Sequence, residues 1–265
     1  MHEGRDGARA YLRDGRGQPG SVHRSAQLAR DLVEETGTAL AVHGYHVMAP
    51  ATVRQCLGAD DEVWRRFAAH WEDLALDAYE ARRGTRRWRR YGCFSLARNG
   101  GGLTPLAHDA FVQPEQSNDL YGDMRRDFEP LTGAFAADPL LGALIRMLGQ
   151  LAWGLEDTQV WTVRVHPFRV VAEAGGEGLP TPEGRHRDGG TLVASLLVDR
   201  DNAVGGKSTV YTAGGAELLS TTLIEPGTLL LGDDRATLHA VSPIRALDAG
   251  RPAHRDVLVT ALAPG

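Results

Sequence analysis

Cysteine is scarce in this sequence. Cys56 and Cys93 are its only two among 265 residues, and two cysteines cannot build the disulfide framework of a small secreted domain. Their separation does not match that of a paired metal-binding motif. We therefore expect a protein of a reducing compartment, the cytoplasm.

Long apolar stretches are missing as well. No run of 18 apolar residues occurs, and the first twenty residues contain no apolar segment typical of a signal peptide. The net charge of −5 gives no global sign of binding to nucleic acid or to an anionic membrane. These absences favour a soluble protein whose partner is a small molecule, and they leave open whether it forms a homodimer.

The sequence changes character near position 158, and the part before that position is helical. Residues 1–20, rich in Gly, Arg and Asp, predict a flexible leader. In the region of about 21–157, "SAQLARDLVEETG" predicts a helix with Gly37 as its C-cap, and an apolar stripe predicts a helix from Asp60 to Gly84. The stretch "DPLLGALIRMLGQLAWGLE" predicts a further amphipathic helix.

The C-terminal part, about 158–265, consists of short β-prone runs such as "QVWTVRVHPFRVVAE", "TLVASLLVD" and "HRDVLVTAL". Short strands separated by Gly, Pro and Asp turns at roughly ten-residue spacing are typical of an antiparallel sandwich or barrel. No linker separates these strands from the helices. We therefore predict a single domain over 21–265, mainly β with N-terminal helices, with a jelly-roll core to which earlier strands contribute.

The segment "TPEGRHRDGG" contains a candidate metal site. In an extended backbone, residues two apart point to the same side, so His186 and Asp188 would project together. His239, in another predicted strand, offers a third ligand. Two histidines and one carboxylate form the facial triad of non-haem iron(II) oxygenases, although zinc hydrolases use the same ligand types. For the triplet alone, a solvated loop is the simpler alternative.

A second His-x-Asp triplet, His254-Arg255-Asp256, lies near the C-terminus, and no histidine follows it. Arg255 begins the strand "RDVLVTAL". A guanidinium presents a planar fork that matches a carboxylate. We therefore interpret this triplet as the source of a carboxylate-binding arginine.

The stretch "RRGTRRWRR", residues 82–90, holds six arginines. A solvated helix end followed by a strand is the simplest interpretation. Attraction of an anionic substrate is a second one. Nucleic-acid binding, with Trp88 as a stacking group, is a third, and the net acidic charge weakens it.

Several blocks resemble the 2-oxoglutarate/Fe(II) dioxygenase family that includes bacterial free-amino-acid hydroxylases such as isoleucine 4-hydroxylase. They are "FVQPEQSNDLYGDMRRDFEPL", "GLPTPEGRHRDGGTLVASLLVDRDNAVGGKSTVY" and "EPGTLLLGDDRATLHAVSPIRALDAGRPAHRDVLVTAL". The blocks occur in order with compatible gaps. The resemblance extends from about residue 88 to the C-terminus, whereas the first 85 residues match only loosely.

The resemblance implies a double-stranded β-helix, the cupin-like form of the jelly roll. It implies that iron(II) is bound by His186, Asp188 and His239, and that Arg255 binds the far carboxylate of 2-oxoglutarate. Thr209 is a further candidate contact of that carboxylate. Dioxygen would be the second co-substrate.

Other residues are candidates for substrate contacts. They are Gln113, Asn118, Arg126, Arg164 and His166. Loop capping is an equally good account of Asn118, and a surface ion pair is an equally good account of Arg126. For Arg164 and His166, which share a strand face, ordinary sheet packing is the simpler account. Asp233 and Asp234 would either orient a ligand histidine or simply form the turn before it.

The resemblance also implies a reaction. It is oxidation of an unactivated C–H bond of a free amino acid or amino-acid derivative in specialised metabolism, coupled to decarboxylation of 2-oxoglutarate to succinate. Hydroxylation is the usual outcome, and desaturation or cyclisation on the same iron core is the alternative. A jelly-roll binding module without turnover and a nucleic-acid-modifying dioxygenase are further options.

Overall fold

The computed structural model describes residues 19–82, 84–98, 102–112 and 124–265. The predicted leader lies almost entirely outside these residues, as do Gln113 and Asn118. Among the described residues, no helix combines the length and the apolar character needed to cross a membrane.

Within the described residues, the helices all lie before residue 160 in the chain. They are α1 (Pro19–His43), α2 (Pro50–Leu57), α3 (Asp61–Ala68), α4 (Ala78–Ala81), α5 (Gly133–Ala136) and α6 (Pro139–Leu155), with a 3₁₀ helix at Ala69–Asp73.

The strands occupy the C-terminal half and several earlier segments. They are β1 (Tyr45–Met48), β2 (Ala75–Leu76), β3 (Arg86–Arg89), β4 (Gly92–Ala97), β5 (Leu103–Pro105), β6 (Val160–Ala172), β7 (Glu177–Gly178), β8 (Leu192–Asp201), β9 (Ala203–Gly205), β10 (Lys207–Thr212), β11 (Glu217–Thr222), β12 (Leu229–Asp233), β13 (Thr237–Val241), β14 (Ile244–Ala246) and β15 (Ala253–Pro264).

Local chemistry explains where the helices begin. The Asp60 side chain accepts hydrogen bonds from the backbone N–H groups of Glu62 and Val63 at the start of α3, and Asp138 caps α6 through Leu140. In both helices the aspartate is the N-cap, and its short polar side chain accepts a hydrogen bond from an N–H group that would otherwise be unpaired.

Two predicted helix ends are wrong. Helix α1 continues through Gly37 to His43, because Leu40 in this last part is fully buried in the core that contains α6; an added Cβ at Gly37 would lie at an ordinary contact distance, 3.6 Å, from Leu151 Cδ2. The second helix does not reach Gly84. It ends at Ala68, continues as a 3₁₀ turn, and gives way to a strand at Ala75, so its apolar residues pack from three short elements rather than from one.

The strands form a jelly roll of facing antiparallel sheets. Within the described residues the larger sheet has nine strands, in the order β1-β12-β8-β15-β6-β3-β2, with β4 paired to β6 and to β5. Opposite it lie two three-stranded sheets, β11-β10-β13 and β7-β14-β9.

Alternation along the strands divides the apolar residues between two layers. Leu196 and Leu258 pack under the helices in one buried cluster, whereas the neighbouring Leu197 and Val257 belong to a second cluster between the sheets, together with Val210. Because successive residues of a strand point to opposite faces, one face packs under the helices and the other faces the space between the two sheets. Polar groups line part of that space.

Candidate metal and co-substrate site

A backbone bridge joins two histidines that are far apart in the sequence. The N–H of His186 donates to the carbonyl of His239, and the N–H of His239 donates to the carbonyl of His186, both at 3.0 Å. Their ring centroids lie 4.3 Å apart. The segment before β8 is thus held on β13, and both rings project to the same place.

Asp188 completes the group. One ligand atom from each of His186, Asp188 and His239 lies within 4.8 Å of the others. His239 Nε2 is 3.4 Å from Asp188 Oδ2. The structure therefore brings together the three residues that the sequence singled out, in the His₂-carboxylate combination that suits a non-haem iron(II) centre with open positions.

Hydrogen bonds orient the His186 ring and hold the backbone turn that carries Asp188. His186 Nδ1 lies 3.1 Å from the carbonyl of Gly184, so Nδ1 donates and Nε2 is left as the acceptor. The Asp234 carboxylate accepts the backbone N–H groups of Asp188, Gly189 and Gly190 at 3.1, 2.7 and 3.0 Å. Asp234 thus fixes the turn that carries Asp188, while the adjacent Asp233 pairs with Arg235 in the loop before β13.

The charges of the group suit a cation. Burial alone would raise the pKa of Asp188, but the two histidines hold it well below its ordinary value, so the carboxylate is ionised. Burial lowers the pKa of His239, yet the neighbouring Asp188 raises it above its ordinary value overall. Within the described residues, Asp188 Oδ2 and His239 Nδ1 are buried without a hydrogen-bond partner, as expected of polar atoms beside a binding position.

Arg255 lies deeper between the sheets. Its side chain is 2% exposed, it lines the same cavity as the three residues above, and its Nε has no hydrogen-bond partner in the part of the chain that the structure describes. Burial lowers its pKa to about 10, so it remains a cation at neutral pH. A buried guanidinium of this kind requires an anion, and the two oxygens of a carboxylate match its fork.

The cavity opens between the sheets and encloses about 750 Å³, counted out to its mouth. Besides the residues already named, its walls include Arg87, Arg89, Phe111, Phe168, Glu183 and Ser195. Ser195 and Glu183 are not among the predicted site residues, and the sequence prediction does not separate Arg87 and Arg89 from the rest of the arginine run.

Some of the other predicted contact residues line the cavity and some do not. Arg126 and His166 line the cavity and are buried. Arg164 lies on β6 opposite Cys93 and does not line it. Thr209 hydrogen-bonds Ser220 across β10 and β11 at 3.2 Å and is also absent from the cavity wall. The signal that could have placed Arg87 and Arg89 is the strand alternation in "RRWR", which buries those two and leaves Arg86 exposed.

The second His-x-Asp triplet forms a different cluster. Asp199, His254 and Asp256 also approach one another, but the Asp256 carboxylate accepts two hydrogen bonds from Arg169, at 2.9 and 2.7 Å. A guanidinium already neutralises this group. It therefore offers a cation less than the group around Asp188 does.

Comparison with known proteins gives a consistent picture. A family model described as 2OG-Fe dioxygenase matches residues 68–261. The 3(1)-hydroxy-L-isoleucine 4-dioxygenase of Pantoea ananatis is 27% identical over 196 residues, which are 71% of this chain and 76% of that protein. The family match spans every site residue described above.

Solved structures share the fold. A bsmA homologue from Methylobium petroleophilum PM1 is 36% identical with a TM-score of 0.81, and the match covers 88% of this chain and 93% of that one. IDO from Bacillus thuringiensis is 18% identical with a TM-score of 0.71, covering 88% and 95%.

Proposed function

The chain belongs to the 2OG-Fe dioxygenase family, and from that premise we propose that it hydroxylates an unactivated C–H bond of a free amino acid. The observation that carries the proposal is the meeting of His186, Asp188 and His239 at the wall of one cavity, with the buried Arg255 lining the same space.

Membership defines the class of enzyme and its co-substrates. The protein is a 2-oxoglutarate-dependent non-haem iron dioxygenase that uses iron(II), 2-oxoglutarate and dioxygen. When bound, iron(II) would activate dioxygen with electrons from 2-oxoglutarate, which would lose carbon dioxide and take up one oxygen atom to become succinate, leaving the second oxygen atom to oxidise the C–H bond.

We assign the protein's own contributions as follows. His186, Asp188 and His239 hold the metal, and Asp234 keeps the Asp188 turn in place through three backbone N–H groups. Arg255 binds the far carboxylate of 2-oxoglutarate between the sheets. Apolar cavity residues such as Val257 and Val259 limit the entry of water, which strengthens the electrostatic interactions inside.

The amino-acid substrate is proposed from two lines of support. The Pantoea ananatis relative is by name a dioxygenase of hydroxy-L-isoleucine, and the cavity of this chain combines cationic and anionic side chains, Arg89, Arg126 and Glu183, with the ring of Phe168. That mixture suits a small zwitterion with an apolar side chain. Desaturation and ring closure are the outcomes against which hydroxylation must be tested.

The test is an anaerobic reconstitution of the full chain with iron(II) and 2-oxoglutarate, followed by addition of single L-amino acids and then oxygen. We expect succinate to form much faster with one or a few of the amino acids, and the product to gain one oxygen atom in its mass. Loss of two hydrogen atoms would instead indicate desaturation or ring closure. Succinate formation that no amino acid stimulates would contradict the proposed substrate class.

We also propose that the enzyme works in the cytoplasm. Cys56 and Cys93 are both free thiols, which is compatible with a reducing compartment. Fractionation of cells that express the full chain, with detection by antibody, tests this assignment.

A further inference from the structure

The buried arginines of β3 have unequal partners. Asp77 Oδ2 accepts two hydrogen bonds from Arg87, at 3.0 and 2.7 Å. Asp77 Oδ1 accepts the backbone N–H groups of Tyr79 and Glu80 at the start of α4. The Asp77 carboxylate is therefore fully used, and Arg87 is neutralised.

Arg89 makes no hydrogen bond to a carboxylate among the described residues. Its Nη1 forms only a long ion pair, 3.9 Å from Asp77 Oδ2, and its Nε is buried without a hydrogen-bond partner in the described part of the chain. The hydrogen bond that the structure shows for its side chain joins Nη2 to His166 Nδ1 at 2.6 Å. Burial, with a smaller contribution from Arg89, lowers the pKa of His166 well below its ordinary value, so this partner is a neutral ring.

Aromatic rings hold Arg89 in one orientation. Its guanidinium carbon lies 3.5 Å from the centroid of the Phe128 ring and 4.4 Å from that of Phe168. Such cation–π contacts fix the plane of a guanidinium. They do not supply the negative charge that a cation only 3% exposed requires.

A second cation shares the same rings. The guanidinium carbon of Arg126 lies 5.1 Å from the Phe111 centroid and 5.6 Å from that of Phe128, and both arginines line the cavity. Burial lowers the pKa of Arg89 most, and the charges of Arg87 and Arg126 lower it further against the raising effect of Asp77 and Glu183. Two like charges kept close together in a cavity wall are expected where an anion binds.

We propose that Arg89, flanked by Arg126, binds the carboxylate of the amino-acid substrate and makes a free carboxylate a requirement for turnover. This inference rests on the proposed function and adds the specificity-determining group. It also gives a role to part of the arginine run: Arg87 supports the wall through Asp77, Arg89 binds the anion, and Arg86 faces away from the cavity.

Glu183 completes a charge pattern that fits an α-amino acid. Its carboxylate lines the same cavity, with Oε1 at 3.6 Å from His186 Nε2. An ammonium group is thus favoured on the side of the metal ligands and a carboxylate on the side of β3. An amino-acid amide keeps the ammonium group and loses only the charge that Arg89 would bind.

The experiment compares free acids with their amides in wild type, Arg89→Met, Arg89→Lys and the control Arg86→Met. The paired probes are L-isoleucine and L-isoleucinamide, L-leucine and L-leucinamide, and L-methionine and L-methioninamide. Arg86 suits the control because it lies on the same strand, points outward and pairs only with Glu173 at the surface among the described residues. The readout is the ratio of kcat/KM for acid over amide, which does not depend on the fraction of folded enzyme.

We expect wild type and Arg86→Met to favour the acid by about 100-fold, the usual scale for a buried charged hydrogen bond. In Arg89→Met the ratio should fall below about 10-fold, mainly through a higher KM for the acid. Arg89→Lys should give an intermediate ratio because an ammonium keeps the charge without the fork. Calorimetric affinity of Arg89→Met for 2-oxoglutarate, with Mn(II) as the metal, should match wild type.

The outcomes separate the two proposals. If wild type prefers the acid and Arg89→Met keeps the same preference and KM, the Arg89 assignment is wrong and the proposed function stands. If wild type responds to none of the amino acids, the proposed function fails and the assignment fails with it. Equal turnover of acid and amide by wild type would overturn the carboxylate requirement alone.

Discussion

Asp234 shows how one buried side chain can determine the position of another. It is 1% exposed, and its carboxylate accepts three consecutive backbone N–H groups of the turn that carries Asp188. Three donors converging on one carboxylate define the path of a turn more strongly than side-chain packing does. The position of the Asp188 carboxylate, which we propose as a metal ligand, thus depends on a residue 46 positions later in the chain.

Replacing Asp234 with Ala should weaken metal binding. The three N–H groups would lose their acceptor, and the Asp188 carboxylate would no longer be held toward the two histidines. We expect a loss of about 10- to 100-fold in affinity for Mn(II), the usual effect of removing a partner that orients a metal ligand. Calorimetric titration of the metal-free protein measures it.

Asp233→Ala is the matched control, because Asp233 is adjacent in sequence and pairs with the partly exposed Arg235 instead. Its affinity for Mn(II) should stay within about twofold of wild type. Equal affinities of the Asp234→Ala variant and wild type would show that the turn keeps its shape without this carboxylate.

The sequence allowed some of these residues to be predicted and not others. His186, Asp188 and His239 are recognisable because their types and spacing suit a metal and because they lie beside predicted strands. Arg89 is not, since six arginines in nine residues look alike until the pairing of β3 with β6 places Arg89 opposite Phe168. The partner of a buried charge depends on contacts between distant segments, which local sequence does not report.

At the scale of elements, helix α6 is fitted closely against β4. It is apolar around most of its circumference, and at Gly149 it approaches the sheet so closely that an added Cβ would lie 2.3 Å from Leu96 Cδ2. Leu96 is itself buried. A glycine is used here because the helix must lie against the strand, in spite of the lower helix propensity of glycine.

Gly149→Ala should therefore destabilise the protein. The new methyl group would force Leu96 to move within a packed core, and overpacking of this kind costs about 1–3 kcal/mol. The free energy of unfolding in urea measures the effect. Gly154→Ala, in the last turn of the same helix with no atom within 4 Å of the added Cβ, should be neutral or slightly stabilising; a similar loss in both variants would contradict this account of the packing.

The difference between local and tertiary effects explains why the helices were easier to predict than the residues at which they end. The start of α6 follows from Asp138 and Pro139, whose effects are local. The continuation of α1 past Gly37 follows from the burial of Leu40 in the core that contains α6, and the early end of α3 leaves room for β2 to pair with β3. Tertiary contacts decided both of these boundaries.

At the scale of the whole molecule, the site connects the two layers of the jelly roll. Asp188 and His239 lie at one end of the cavity and Arg255 lies on β15 of the larger sheet. A metal and 2-oxoglutarate would therefore bind to the folded state only, and each should stabilise it by mass action.

We expect two separable increases in the midpoint of thermal unfolding. Saturating Mn(II) at about 100 times its Kd corresponds to roughly 2.7 kcal/mol, or a rise on the order of 5–10 °C for a protein of this size. 2-Oxoglutarate should add a second rise when Mn(II) is present. Differential scanning fluorimetry of the full chain measures both, and a chelator should reverse them.

Two variants assign the increases to residues. Asp188→Ala should lose the response to Mn(II). Arg255→Met should keep that response and lose the additional rise with 2-oxoglutarate, and its own midpoint should not fall, because the substitution removes a buried charge whose Nε has no hydrogen-bond partner among the described residues. A response of Arg255→Met to 2-oxoglutarate equal to that of wild type would place the co-substrate carboxylate elsewhere.

The reciprocal backbone hydrogen bonds between His186 and His239 allow the assembly of the site to be followed by hydrogen exchange. The two backbone protons in these bonds can exchange with deuterium from the solvent only when the segment before β8 separates from β13. Their exchange rate therefore reports how often the two histidine rings are held together, and it can be measured before any metal, co-substrate or amino acid has been added.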